Sequence, residues 1–227
     1  MKSPNLTKKE FAWGLFYYFL QLIVLPSALS LINYFLGNPL SLSMINVVYF
    51  SLNFLIVCVI FGSFLKKNAK IALESPLRCI GYAAGGYLIY RFISYGVAIL
   101  IFMLKPDFFN VNDAHIGTAV KENHILLPLA TIFLVPVAEE ALYRGLMFRP
   151  LHKHNRFLAY AVSTLVFASV HVVGYIGQYS ALHLFLCLLQ YLPAGIALGF
   201  AYEKSDTICA PILMHIAVNA IGILAMR

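Results

Sequence analysis

Seven apolar runs, each followed by a short polar or charged break, constrain this chain more than any other feature. They cover roughly 11–36, 42–65, 79–104, 125–149, 157–174, 181–202 and 207–226. A helix needs about 20 predominantly apolar residues to cross the hydrocarbon core. Where no water reaches the backbone, its N–H and C=O groups must pair within the segment, so such runs fold as helices. The expected fold is therefore all-α: a polytopic transmembrane helix bundle of about seven spans, forming a single membrane-embedded domain over 1–227. Only 11% of the 227 residues are charged, against roughly a quarter in soluble domains, so little chain remains for a soluble domain. The first run follows Lys8-Lys9-Glu10 and, at about 25 residues, exceeds a signal-peptide core; it reads as a retained helix with a kink at Pro26.

Basic residues set the orientation. One alternate set of helix ends holds Lys2, Lys8, Lys9, Lys66, Lys67, Lys70, Arg78, Arg149, Lys153, Arg156 and Lys204. The opposite set holds only Lys105, Lys121 and Arg227. The positive-inside rule then puts the N-terminus in the cytoplasm and the C-terminus outside. The same rule accounts for the net charge of +7 without a nucleic-acid partner. The expected surroundings are the lipid bilayer of a cell membrane, crossed several times.

Within the fourth run, Val137-Ala138-Glu139-Glu140-Ala141-Leu142-Tyr143-Arg144-Gly145 sets two carboxylates and a guanidinium among apolar neighbours. Ionisable groups at membrane depth are costly enough to mark function by default. Glu140 and Arg144 are four apart, share a helix face and can form an ion pair. Glu139 lies about a hundred degrees away and has no basic partner within a turn. Pro136 cannot donate to the Ile132 carbonyl and is expected to kink the helix there.

Three more polar side chains fall inside later runs: His171 in Phe167-Ala168-Ser169-Val170-His171, then His215 and Asn219, four apart on one face. Counted from the cytoplasmic ends at 1.5 Å per residue, Glu139 lies about 15 Å deep, His171 about 21 Å, His215 about 12 Å and Asn219 about 18 Å. Matched depth on three helices predicts one shared, water-filled site. A desolvated carboxylate and an imidazole can hold and deprotonate water. A second imidazole and an amide can donate to the oxyanion that water attack creates on an amide carbonyl. The same residues offer an alternative, zinc held by Glu139, His171 and His215 with one position open, although HExxH and its inverse are both missing.

These residues also carry a resemblance. Glu139-Glu140-x-x-x-Arg144, then Phe167-x-x-x-His171, then His215-x-x-x-Asn219 resemble the three motifs of the CPBP family, the CAAX-processing and bacteriocin-processing intramembrane endopeptidases also called Abi proteins. Each motif alone is weak; in this order on three spans they are specific. The similarity places a catalytic core at 124–226. It implies an endopeptidase that cleaves a membrane-associated peptide or protein, with Glu139 and His171 activating water and His215 and Asn219 forming the oxyanion hole. Glu140 and Arg144 would brace the site. The eukaryotic branch of the family trims prenylated C-terminal tails. The resemblance favours a glutamate-type enzyme with no metal cofactor over a zinc enzyme.

The competing reading is a non-catalytic membrane protein, whether transporter, immunity protein or scaffold, that uses the same pocket for binding. Transporters tend to repeat their discontinuous segments in two halves, whereas the polar residues here concentrate in one. Several other features are expected to be structural. Gly81-x-x-x-Gly85 and Gly195-x-x-x-Gly199 read as close helix contacts. Cys58, Cys79, Cys187 and Cys209 read as small core residues, and His183 as a packing residue. The segment 105–123 reads as an ordered cap or short interfacial helix without chemistry. Arg91, about 20 Å from either end of its helix, is expected to face the bundle interior, either as a structural residue or as part of a cavity lining.

Overall fold

The structure, a computed structural model, describes residues 3–226. Lys2 and Arg227 of the charge count lie outside the described residues. Among these residues there are nine helices and no strand, and the protein is an all-α membrane helix bundle. In chain order they are α1 Lys8–Phe35, α2 Leu42–Ile60, α3 Gly62–Glu74, α4 Pro76–Leu104, α5 Val111–Glu122, α6 Leu126–His152, α7 Arg156–Val170, α8 Ala181–Ser205 and α9 Cys209–Ala225. By length and composition, α1, α2, α4, α6 and α8 can each cross a membrane; α7 and α9 are shorter apolar helices.

Local chemistry sets most of the helix starts. Thr7 and Glu10 form a capping box, Glu10 N donating to Thr7 Oγ1 at 3.1 Å and Thr7 N to Glu10 Oε2 at 2.7 Å. The other oxygen of Glu10 accepts from Phe64 N at 2.8 Å, so one buried carboxylate caps the first turns of both α1 and α3. Ser41, Asn110, Asn155 and Ser180 cap α2, α5, α7 and α8. Asp206, at φ 59°, closes α8 in the left-handed region.

The structure corrects several sequence boundaries. The run 42–65 is two helices, because the backbone breaks at Phe61 (φ −102°, ψ 17°). Phe61 and Phe64 are fully buried there against the core. The run 157–174 stops as a helix at Val170 and passes through a short 3-10 turn at Val173–Tyr175. Pro26 does not produce a simple kink. A π-helical turn at Leu20–Val24 precedes it, so Pro26 enters within the first turn of resumed α-helix, where its missing N–H is tolerated. Segment 105–123 does contain a short helix, α5.

Contacts at the helix ends sort them into two sides. At one side Arg149 donates to the Ser3 carbonyl at 2.7 Å, Arg78 pairs with Asp206 at 2.8 Å, and Glu203 joins Arg156 at 2.8 Å and His152 at 3.1 Å. Thr207 and Ile208 bond Asn68 of α3 on the same side. At the other, Asn123 meets Met44 and Lys105 meets His183, while Asn110 and Asp113 reach the middle of α8 at Gln190 and Tyr191. The basic residues gather on the first side. Reporter fusions after Lys67 and Lys153 are therefore expected to read cytoplasm, and fusions after Asp113 and at the C-terminus to read outside. An inverted reading at Asp113 alone would mean that α4 does not cross.

Glycines divide differently from their motifs. Gly81 and Gly85 face open space, and it is Gly86 that packs, a Cβ there meeting Met214 Sδ at 2.9 Å and the Ala197 carbonyl at 3.3 Å. On α8 the motif does hold a crossing. A Cβ at Gly195 would lie 2.7 Å from Thr164 Cγ2 and 3.0 Å from its Cα, and one at Gly199 3.0 Å from Tyr160. Gly195→Ala is expected to cost about 1–3 kcal/mol by prising α7 from α8, read as a lowered unfolding temperature in detergent. Gly81→Ala should be neutral.

Candidate active site

The buried half of α6 is where the backbone departs most from an ideal helix. A π-helical turn at Ala130–Leu134 leads into α-helix at Val135–Glu140, then a second π stretch runs over Ala141–Phe148. Such bulges often accompany functional sites. The first one relocates the Pro136 defect. In α register Pro136 would leave the Ile132 carbonyl without a donor. In π register Val135 N bonds the Ala130 carbonyl, five residues back, and the gap falls on Thr131. Asn219 fills it from α9, Nδ2 donating to the Thr131 carbonyl at 2.9 Å. One amide hydrogen of Asn219 is thereby committed to structure, and the other remains.

Glu140 and Arg144 are fully buried and paired, Nη1 to Oε1 at 3.1 Å. Arg144 also donates from Nη2 to the Gly195 carbonyl at 3.1 Å and lies 4.9 Å from the centre of the Phe167 ring. The sequence pattern missed a second duty of Glu140. Its Oε1 also takes His215 Nδ1 at 2.8 Å. His215 Nε2 in turn lies 3.9 Å from Glu139 Oε2, an oxygen that is buried and makes no hydrogen bond within the protein. Glu139 thus stands outside the Glu140–Arg144 pair, with His215 Nε2 3.9 Å from its Oε2.

His171 sits just past the last turn of α7, where its backbone caps the helix and its Nδ1 lies 2.8 Å from the Phe167 carbonyl. Its ring stacks on Tyr191 of α8 at 4.3 Å and 23°. The hydroxyl of Tyr191 is held by Asp113 at 2.9 Å and accepts from Asn112 at 3.0 Å. Segment 105–123, expected to carry no chemistry, therefore orients the ring on which His171 rests.

The acceptors assign the imidazole hydrogens. A carbonyl can only accept, so Nδ1 of His171 is the donor and the neutral ring keeps its lone pair on Nε2. Nδ1 of His215 donates to a carboxylate, which can also stabilise the imidazolium form, in which Nε2 carries a hydrogen too. Both rings thus have Nδ1 engaged, His171 by a carbonyl and His215 by a carboxylate.

Glu139, His171, His215 and Asn219 line one cavity of about 1070 Å³. The first two helices contribute Gln21, Tyr49 and Asn53 to its wall, tied by hydrogen bonds of Tyr49 to Gln21 at 2.8 Å and of Tyr17 to Asn53 at 2.8 Å. Polar residues inside the first two apolar runs were the available signal for these. Arg91 lines the cavity as well, but as an exposed side chain rather than a packed one. His183 is separate, against Lys105 Nζ at 3.2 Å and stacked on Tyr179. All four cysteines are free thiols.

Among the described residues no three His, Cys, Asp or Glu side chains are grouped so as to hold a metal ion. Of the three candidate zinc ligands, His215 Nε2 and Glu139 Oε2 lie 3.9 Å apart.

Residues 121–221, which include all four cavity groups, match the family described as Type II CAAX prenyl endopeptidase Rce1-like. The match covers 101 of the 227 residues and is a similarity of this segment to that family. The chain is also similar to an uncharacterized 24.3 kDa protein of Escherichia coli, 31% identical over 104 residues. That match covers 44% of this chain and 44% of the relative, so the chain spans less than half of the protein it resembles. No solved structure matches. The matched segment begins in the last turn of α5 and ends within α9, leaving α1 to α4 outside the match.

Proposed function

We propose that this protein is an intramembrane endopeptidase of the glutamate type, hydrolysing a peptide bond in a membrane-associated peptide or protein. The observation that carries the reading is a carboxylate with one buried oxygen that makes no hydrogen bond within the protein, in one cavity with two histidines whose Nδ1 atoms are held by acceptors of different charge. In this mechanism Glu139 takes a proton from a water in the cavity and His171 Nε2 accepts a hydrogen bond from the same water, aiming it at the scissile carbonyl. As the carbonyl oxygen gains charge, His215 Nε2–H and the remaining amide hydrogen of Asn219 donate to it. Glu140 supports His215 by accepting from its Nδ1, and Arg144 braces Glu140 by donating to the same oxygen. The proton on Glu139 then passes to the leaving amine as the C–N bond breaks.

The test is purified protein in lipid nanodiscs, incubated with membrane-associated peptides and followed by mass spectrometry of new termini. Cleavage should appear with wild type, persist with metal chelators that enter and that do not enter the membrane, and vanish in His171→Ala. A lack of new termini across broad peptide pools would favour the binding-only reading. Stoichiometric zinc lost together with activity in His171→Ala would make the enzyme a metalloprotease.

A further inference from the structure

The proline defect of α6 has a counterpart in α1. Leu25 N bonds the Leu20 carbonyl, five residues back, so Pro26 leaves the Gln21 carbonyl without a main-chain donor, as Pro136 does for Thr131. A side chain from another helix again fills the gap. Tyr49 of α2 donates to the Gln21 carbonyl at 3.1 Å, as Asn219 donates to that of Thr131. Both repaired carbonyls belong to residues of the cavity wall.

The side chain of Gln21 is only half used. The residue is 4% exposed, and its Oε1 accepts from the Tyr49 hydroxyl at 2.8 Å and lies 3.5 Å from Asn53 Nδ2. Asn53 is itself held by Tyr17, whose hydroxyl donates to its Oδ1 at 2.8 Å. With Oε1 taken up by this network, Nε2 keeps both hydrogens, and among the described residues no side chain or carbonyl accepts them. If the network served only to join α1 to α2, Oε1 would suffice. A half-satisfied amide at that burial is costly unless something enters the cavity to accept from it.

Gln21, Tyr49 and Asn53 share the cavity with Glu139, His171, His215 and Asn219. On α2 the wall residues Ile45, Asn46, Tyr49, Phe50 and Asn53 recur at three- and four-residue spacing, so they form one face. The same helix packs on Val135–Glu140, the segment that carries Glu139. A polypeptide held there for cleavage is extended, and its main-chain groups, cut off from water, need partners from the wall. The four chemical groups meet only the bond that breaks.

We infer that Gln21 is a substrate-binding residue, its Nε2 hydrogens donating to a main-chain carbonyl of the bound polypeptide other than the scissile one. Every residue carries such a carbonyl, so this subsite holds the strand in place without reading its side chains. The first two helices thereby supply part of the site, although both lie outside the matched segment 121–221. The nature of the ligand rests on the endopeptidase reading.

Retention on a protein that does not cleave tests the subsite. Glu139→Gln protein in lipid nanodiscs, with and without Gln21→Met, is incubated with a pool of synthetic membrane-associated peptides, prenylated and unprenylated, and retained peptides are identified by mass spectrometry. Met keeps the length of Gln without its donors, and Tyr49 keeps the carbonyl of residue 21 as acceptor, so matched unfolding temperatures are expected. Adding Gln21→Met should weaken binding of the retained peptides roughly three- to tenfold, the range of one neutral hydrogen bond. Single peptide bonds of a retained peptide are then replaced by esters, each of which weakens the preceding carbonyl as an acceptor. One position should be sensitive in the Glu139→Gln protein and insensitive once Gln21→Met is added. Equal retention by the two proteins, the same ester profile on both, or no peptide retained by either would overturn the assignment. So would an ester profile with no sensitive position on the Glu139→Gln protein, whatever the stability of the Gln21→Met variant. Peptides retained through Gln21, with none cleaved by wild type, would reject the protease reading and leave the subsite standing.

Discussion

Glu139→Gln is expected to reduce cleavage by about a hundred- to ten-thousandfold, the range that a positioned general base contributes. Gln keeps the volume and one carbonyl oxygen but cannot take the water's proton. The fold should survive the change, because Glu139 Oε2 makes no hydrogen bond within the protein and the pair Glu140–Arg144 is untouched. Two measurements are needed together: initial rates against any peptide the wild type cleaves, and thermal unfolding in the same detergent. A variant as active as wild type would remove Glu139 from the chemistry. An inactive variant that also melts early would show only that the residue is structural.

Glu140→Gln should do the reverse and damage the protein first. Its carboxylate is fully buried and neutralises a guanidinium that is also fully buried. Removing one partner of such a pair costs about 3–5 kcal/mol, because the other charge stays desolvated and uncompensated. Here the same oxygen also holds His215, so the substitution loosens an imidazole at the site and activity should fall too. The double variant Glu140→Gln/Arg144→Met removes the stranded charge and should recover much of the lost stability without restoring activity. The readout is the unfolding temperature of the three proteins side by side. A Glu140→Gln protein as stable as wild type would mean that Arg144 is neutralised from elsewhere.

What the sequence determined by itself follows from strong local rules. Apolar length specifies helices, since a backbone in lipid has no other donors or acceptors. The spacing of Glu140 and Arg144 specifies their pairing, and the angular offset of Glu139 leaves it out of that pair; both are short-range helix geometry. The order of the three polar motifs pointed to the family that residues 121–221 match.

Tertiary structure alone decided how those groups meet. No local pattern announces that Glu140 serves a histidine 75 residues away, or that the register change at Ala130–Leu134 moves the proline defect to a carbonyl which Asn219 then satisfies. Both depend on where α9 docks against α6, which is set by packing across the whole bundle. The same holds for Asp113 and Tyr191 beneath His171, and for Gln21, Tyr49 and Asn53 of the first helices in the cavity wall. Arg91 makes the division plain: hydropathy locates it at mid-membrane, and only the tertiary structure shows that it lines the cavity.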